Sequence, residues 1–270
     1  MNSLKNNDPN VLSSGVPANI QKEVLYQYIL GIADNSLILG KRLGELCGHG
    51  PNLETDIALT NISLDLLGQT RSYFQYAALL AGDDKTEDDV AFLRIEREYK
   101  NILLVEQPGT HFGYVIARQF LFDVYHLLFM EKLQFSKDET LAAIAKKGIK
   151  EVSYHVRFSS DWVKRLGDGT EESKLKIQEA IDDLWGYTDE MFHLTTPDTA
   201  MISEGIGIDV SGLKELYYSK VSEILNEATL EVPQGTFFQK GGKEGVHSEY
   251  MGYILSELQY MQRTYPNMKW

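Results

Sequence analysis

From Phe112 to Met130 the chain places apolar residues on every side of a helix: Phe112, Val115, Ile116, Phe120, Leu121, Phe122, Val124, Tyr125, Leu127, Leu128 and Phe129. A helix that is apolar all round has to be surrounded by protein. It is therefore either the central helix of this chain or a helix covered by a partner subunit. Asp123 stands in its middle. An unpaired carboxylate in such surroundings is costly, so Asp123 is expected to have a partner.

The rest of the pattern is helical too, with stops where helix physics puts them. A first helix is expected from about residue 18 to 47, ending in "GHGPN", and a second from about 54 to 81, ending at Gly82. Thr86 and Asp89 form a capping-box pair that opens a third, expected to end near "EQPGT". The fourth spans about 111 to 134. Ser136 and Glu139 are a second capping-box pair, opening a fifth helix that ends near Gly167. Thr170 caps a sixth, reaching about His193. A short helix follows Pro197, another follows Ser211, and a last one runs from about 246 to 264. There is no strand alternation, no short-period repeat and no obvious linker. Long helices joined by short loops pack as an antiparallel bundle. The expected class is all-α: a ferritin-like four-helix bundle with additional peripheral helices over 18–270. The polar stretch 1–17 is expected to be a disordered tail.

Four long helices each carry a mid-helix carboxylate in apolar surroundings: Asp34, Asp65, Asp123 and Glu151. Each alone reads as an ordinary ion pair or surface charge. Together they suggest a polar cluster at the bundle centre. Ferritin-like di-iron sites take one Glu from each of two helices and Glu-x-x-His from each of the other two, because the i, i+3 spacing puts carboxylate and imidazole on one face. Here the second helix offers Asp65-Leu-Leu-Gly68, and the glycine has no ligand. The stretch "KEVSYHVRFSSDW" offers Glu151-Val-Ser-Tyr154, with His155 one place late and so rotated about 100° away. No imidazole stands where the motif wants one. The site is therefore expected to be a degenerate, metal-free bundle centre made of Asp34, Asp65, Gly68, Asp123, Glu151, Tyr154 and His155. His155 is expected to hydrogen-bond the central acids, with Arg118, Arg157 or Lys41 as counter-charges. The literal matches Glu190-Met-Phe-His193 and Glu244-Gly-Val-His247 lie outside the helix middles and read as accidental, as does the near miss Asp123-Val-Tyr-His126.

Composition narrows the function further. The formal net charge of −13 repels phosphate backbones, so nucleic acid is not an expected partner. No run of about 18 uncharged apolar residues exists, no basic block points to a membrane surface, and the N-terminus has no apolar core of signal-peptide length. The single cysteine, Cys47, cannot form an internal disulfide, which fits a reducing cytoplasm. No P-loop, dinucleotide fingerprint or nucleophile elbow is present. The 15 tyrosines read as amphipathic packing residues, some at a subunit interface.

Several long strings carry a family resemblance. They are "ALTNISLDLLGQTRSYFQYAALLAG", "EQPGTHFGYVIARQFLFDVYH", "IKEVSYHVRFSSDWVKRLGDGTEES", "AIDDLWGYTDEMF" and the ending "GVHSEYMGYILSELQYMQRTYPNMKW". They resemble the C subunits of bacterial phenylacetyl-CoA epoxidases, also called ring 1,2-phenylacetyl-CoA monooxygenases, over nearly the whole chain after the tail. The resemblance implies a ferritin-like structural subunit without iron ligands. It implies a homologous catalytic A subunit as partner, which holds the di-iron centre and the CoA thioester. It also implies other oxygenase subunits and a reductase that draws on NADPH through flavin and an iron–sulfur cluster. Such a complex uses O₂ to epoxidise the aromatic ring of phenylacetyl-CoA in phenylacetate degradation. No cofactor and no catalytic residue is expected in this chain itself. The competing readings are an autonomous di-iron oxidase or oxygenase built on the residual acids, and a stand-alone helical binding protein.

Overall fold

The computed structural model describes residues 18–82, 84–266 and 268; the tail expected to be disordered, 1–17, lies outside them. Ten α-helices follow one another among the described residues: α1 (Ala18–Gly44), α2 (Leu53–Ala81), α3 (Glu87–Phe92), α4 (Phe112–Leu133), α5 (Glu139–Gly167), α6 (Glu171–Trp185), α7 (Thr196–Ser203), α8 (Lys214–Glu227), α9 (Glu249–Leu258) and α10 (Tyr260–Thr264). No strand occurs among them. Helices α1, α2, α4 and α5 are 27, 29, 22 and 29 residues long, or about 33–44 Å at 1.5 Å per residue.

These four form the bundle. Helix α1 packs along α2, α4 packs along α5, and the two hairpins meet where α2 lies against α5. One long crossover, 82–111, joins the hairpins, which is the ferritin-like connection. Helices α6 and α8 cover α4 and α5, while α7 and α9 lie on α1. The apolar helix α4 is therefore central within this chain. Its Ile116, Phe120, Leu121, Phe122, Met130 and Leu133 are buried to 1% exposure or less. Each such side chain contributes roughly 1.5–3 kcal/mol relative to leaving it in water. No helix among the described residues is long and apolar enough to cross a membrane.

The helix ends follow local chemistry. Asn52 accepts from Thr55 N at 2.9 Å and caps α2, which stops at Gly82 with φ +69°. Thr86 and Asp89 cap α3 reciprocally. The cap of α5 is Asp138, which accepts from Leu141 N at 2.9 Å, and not the expected Ser136. Ser136 donates instead to the Ile206 carbonyl at 2.8 Å. On α5 the buried positions Leu141, Ala145, Gly148, Val152, His155, Ser159 and Val163 recur every three or four residues, so one face meets α4. Gly167 ends that face because a Cβ there would collide with the Ala228 carbonyl.

The crossover corrects the expectation of a continuous third helix. Helix α3 ends at Phe92, and residues 93–111 run as extended backbone with 3-10 turns at Glu96–Glu98 and Leu103–Glu106. Buried polar side chains hold this strap by its backbone. Asp34 on α1 accepts from Arg94 Nη1 at 2.9 Å and from Lys100 N at 2.8 Å. Asn35 accepts from Ile102 N at 2.8 Å. Glu190 accepts from Leu103 N and Gly241 N, both at 2.7 Å. These bonds satisfy amide groups that a helix would have paired internally.

Glu106 fastens the C-terminal segment to the strap. Its carboxylate accepts from Asn101 Nδ2 and Ser248 N, both at 2.8 Å, and from His247 Nδ1 at 2.6 Å. His247 Nε2 lies 3.0 Å from the Tyr99 carbonyl. With an acceptor at each ring nitrogen, both must donate, so His247 is an imidazolium. Burial alone would lower its pKa, but the hydrogen bond and charge of Glu106 outweigh burial and hold it above the usual histidine value.

Two outcomes follow from the strap. Replacing Arg94 by Met leaves Asp34 buried without its counter-charge, and is expected to cost about 3–5 kcal/mol in urea unfolding; a loss under about 1 kcal/mol would contradict the pairing. The His247 contribution is present below the unfolded pKa of 6.5 and is lost as pH rises through the higher folded value. Thermal melts of wild type should therefore fall more steeply above neutral pH than those of His247→Gln, and identical slopes would contradict the bond.

Candidate functional site

Two elements bring the expected site residues near one another: the seam between α2 and α5, and the inner face of α4. Helices α2 and α5 run antiparallel in a register fixed by two polar contacts. His155 Nε2 lies 3.0 Å from Asp65 Oδ2, and Gln69 Nε2 donates to Glu151 at 2.9 Å. Deeper in, Asp123 on α4 accepts from Gln119 Nε2 at 2.6 Å and from Ser159 Oγ at 2.8 Å.

Asp123 is fully buried and faces no cation. Burial pushes its carboxyl well above the ordinary value, with the two hydrogen bonds opposing weakly. The expected counter-charges are elsewhere. Arg118 is buried and donates to the Gln107 carbonyl, and burial lowers its pKa to about 10. Arg157 lies over the Tyr154 ring at 5.6 Å. Lys41 pairs with Glu45 and Glu257 on the surface. Hydrogen bonds, rather than an ion pair, therefore hold Asp123.

His155, expected to hydrogen-bond the central acids, lies 3.0 Å from Asp65, and a second imidazole not expected there, His126, is buried as well. His126 and His155 are both buried, and each is close enough for a charge on one to disfavour a charge on the other. Burial lowers His126 to about 3 and lowers His155 against the pull of Asp65. Burial thus favours the neutral ring at both. Nε2 of His155 carries the proton that it donates to Asp65, and Nδ1 of each ring has no hydrogen-bond partner among the described residues. The sequence signal for His126 was its i, i+3 spacing from Asp123 on the most buried helix.

The other expected members lie apart. Asp34 belongs to the strap and bonds Arg94. Gly68 is exposed, and a Cβ built on it meets nothing within 4 Å. Tyr154 is 37% exposed on the outside of α5, edge-on to His155 and tilted against Phe158. Because positions 65, 69, 151 and 155 form the seam, positions 68 and 154 turn outward. The Glu-x-x-His look-alikes separate too: His193 Nε2 sits 3.5 Å from Glu244, while Glu190 and His247 hold backbone and Glu106.

This arrangement does not fit a di-iron cluster. Asp65 is 37% exposed and turned to His155, Glu151 is tied to Gln69, and both oxygens of Asp123 are occupied by neutral donors. Among the described residues no group of three or more His, Cys, Asp or Glu side chains is placed to hold a metal ion.

Beside the seam, α2 leaves apolar side chains in solvent. Leu53, Ile57, Leu64, Leu67 and Leu79 share one side of the helix, Leu64 being 60% and Leu79 81% exposed. Arg71 and Gln75, exposed on the same side and bonded to Glu87, separate Leu79 from the others, so the exposed apolar group is Leu53, Ile57, Leu64 and Leu67.

Comparison with known proteins places the chain. Residues 13–270 match the family described as "Phenylacetic acid catabolic protein". A relative in Escherichia coli (strain K12), the C subunit of the 1,2-phenylacetyl-CoA epoxidase, is 48% identical over 246 residues, covering 91% of this chain and 99% of the relative.

If Asp123 is a neutral, hydrogen-bonded carboxyl, Asp123→Asn should lie within about 1 kcal/mol of wild type near neutral pH. Between the ordinary value of 3.8 and the raised folded value, the folded state holds more protons than the unfolded one, so wild-type stability declines as pH rises. The variant should lack that part of the slope; equal slopes in urea titrations across pH would contradict the assignment.

Proposed function

The chain belongs to the phenylacetic acid catabolic protein family, and from that premise we propose that it is the iron-free C-type subunit of a multicomponent oxygenase acting on phenylacetyl-CoA. In this reading the complex epoxidises the aromatic ring during phenylacetate degradation. A homologous A subunit binds the di-iron centre and the thioester. A reductase with flavin and an iron–sulfur cluster brings electrons from NADPH. The present chain packs against the A subunit and holds it rigid, a support role that preorganises a neighbouring site.

The observation that carries the reading is the dispersal of the donors at the bundle centre: Asp65 bonds His155, Glu151 bonds Gln69, Asp123 bonds Gln119 and Ser159, and they do not converge. The near-complete coverage of a relative named as a subunit supports the complex. The exposed apolar group on α2 supports a partner, because a chain working alone gains nothing from leaving Leu53 and Leu64 in water.

The test is reconstitution. The purified chain, given ferrous iron anaerobically and then desalted, should retain no stoichiometric iron and should not turn over phenylacetyl-CoA with O₂ and the reductase. Co-expression with the homologous A subunit should yield a stable complex in which the iron and the epoxidation depend on that subunit. Stoichiometric iron and turnover by this chain alone would replace the reading with an autonomous oxygenase.

A further inference from the structure

Beside Gly68 the α2–α5 seam opens into a slot of about 100 Å³, lined by Leu64, Asp65, Gly68, Gln69, Ser72, Ile144, Lys147, Gly148 and Glu151. Three features of it point to a ligand. The carboxylates of Asp65 and Glu151 both border it, one helical turn apart in the antiparallel register that Asp65–His155 and Gln69–Glu151 define. Gln69, only 5% exposed, spends its amide NH₂ on Glu151 and leaves Oε1 with no hydrogen-bond partner. The mouth is unobstructed because position 68 has no side chain and the space where one would stand is empty.

A buried amide oxygen without a donor is costly, and two carboxylates beside it make the deficit one of positive charge as well as of N–H groups. Lys147 at the rim makes no ion pair among the described residues and is itself exposed, so the chain does not fill the slot from within. The groups that complete it are those of a guanidinium or ammonium: several N–H donors on one cation. Leu64, 60% exposed, stands at the slot, so a cation arriving there would bring an apolar surface to cover it.

We infer that this slot is an anchoring socket for a basic side chain, arginine or lysine, projected from an apolar helix of the paired A subunit. The inference rests on the partner reading above and adds the face and the chemistry of the contact. Gly68 is then the residue that lets the apposed helix come close and lets the cation in. Asp65 and Glu151 neutralise the cation, and Gln69 Oε1 accepts a hydrogen bond from one of its N–H groups. Leu64 on α2 and Ile144 on α5, the apolar residues that line the slot, exclude water around it, the arrangement in which a charge-assisted bond at an interface counts most.

The experiment measures the Kd between this chain and the purified A subunit by calorimetry, with the melting temperature of each variant alone. Gly68→Leu fills the mouth but suits a helix better than glycine does. It is expected to melt no lower than wild type and to bind at least tenfold more weakly. Glu151→Gln keeps a partner for Gln69 and removes one charge; it should weaken binding and flatten its dependence on salt, and it decides the matter if Gly68→Leu proves unstable. Wild-type affinity in a folded Gly68→Leu, or in Glu151→Gln at low salt, overturns the socket and leaves the partner reading standing. Failure of wild type to bind the A subunit overturns both. A wild-type homodimer that Gly68→Leu dissociates would give the slot to a second copy of this chain and overturn the assigned occupant.

Discussion

The dehydration of α4 governs the rest of the molecule. Once a helix is buried on all faces, every polar group it carries has to be satisfied by another buried side chain or lose its charge. Asp123 does both: it takes hydrogens from Gln119 and Ser159 and is pushed toward the neutral acid. His126, one turn along, is driven to the neutral ring for the same reason. The inner face of α5 is built to match, with small residues at Gly148, Ser159 and Ser160 where the two helices approach. A centre of this kind gains stability by removing charge. A di-iron site concentrates charge, and the two demands are opposed at one place.

The charges that remain buried lie in the strap or bonded to it, Arg118 of α4 among them through the Gln107 carbonyl. Asp34 with Arg94 and Glu106 with His247 are dry ion pairs, and Glu190 holds backbone amides. All three acids fasten irregular chain, which has no internal ladder of hydrogen bonds to stabilise it. The acids of this protein thus divide by what surrounds them. Those beside irregular backbone keep counter-charges or amides, the one inside regular helix is made neutral, and those on the α2–α5 face stay half in water beside an open slot.

Much of this was legible in the sequence. The capping pair at Thr86, the cap at Thr170 and the all-round apolar character of α4 carry the fold, because each is a local rule of helix physics. The break in the crossover was not legible. The residues that hold it, Asp34, Asn35 and Glu190, lie far away in the chain, and only the fold brings them to residues 94–107. The polar centre was half legible. Its acids could be picked out as misfits on apolar helices, but the Glu-x-x-His spacing directed attention to positions 68 and 154, which face outward. The imidazoles that do reach the interior are at 126 and 155, because α4 and α5 meet along those faces. Spacing within one helix gives a side, and only packing says which side is inside.

The central claim is that the interior imidazoles are neutral and committed to the fold, and nitrogen NMR of the histidine side chains tests it most directly. In the isolated chain labelled with ¹⁵N-histidine, the account predicts that His126 shows neutral-ring signals from about pH 5 to 8, the span in which ordinary histidines titrate, and that His155 titrates below the ordinary histidine value. It also predicts that anaerobic ferrous iron leaves both unchanged. Titration of either ring near pH 6.5, or paramagnetic loss of both signals on adding one or two equivalents of iron, would contradict it.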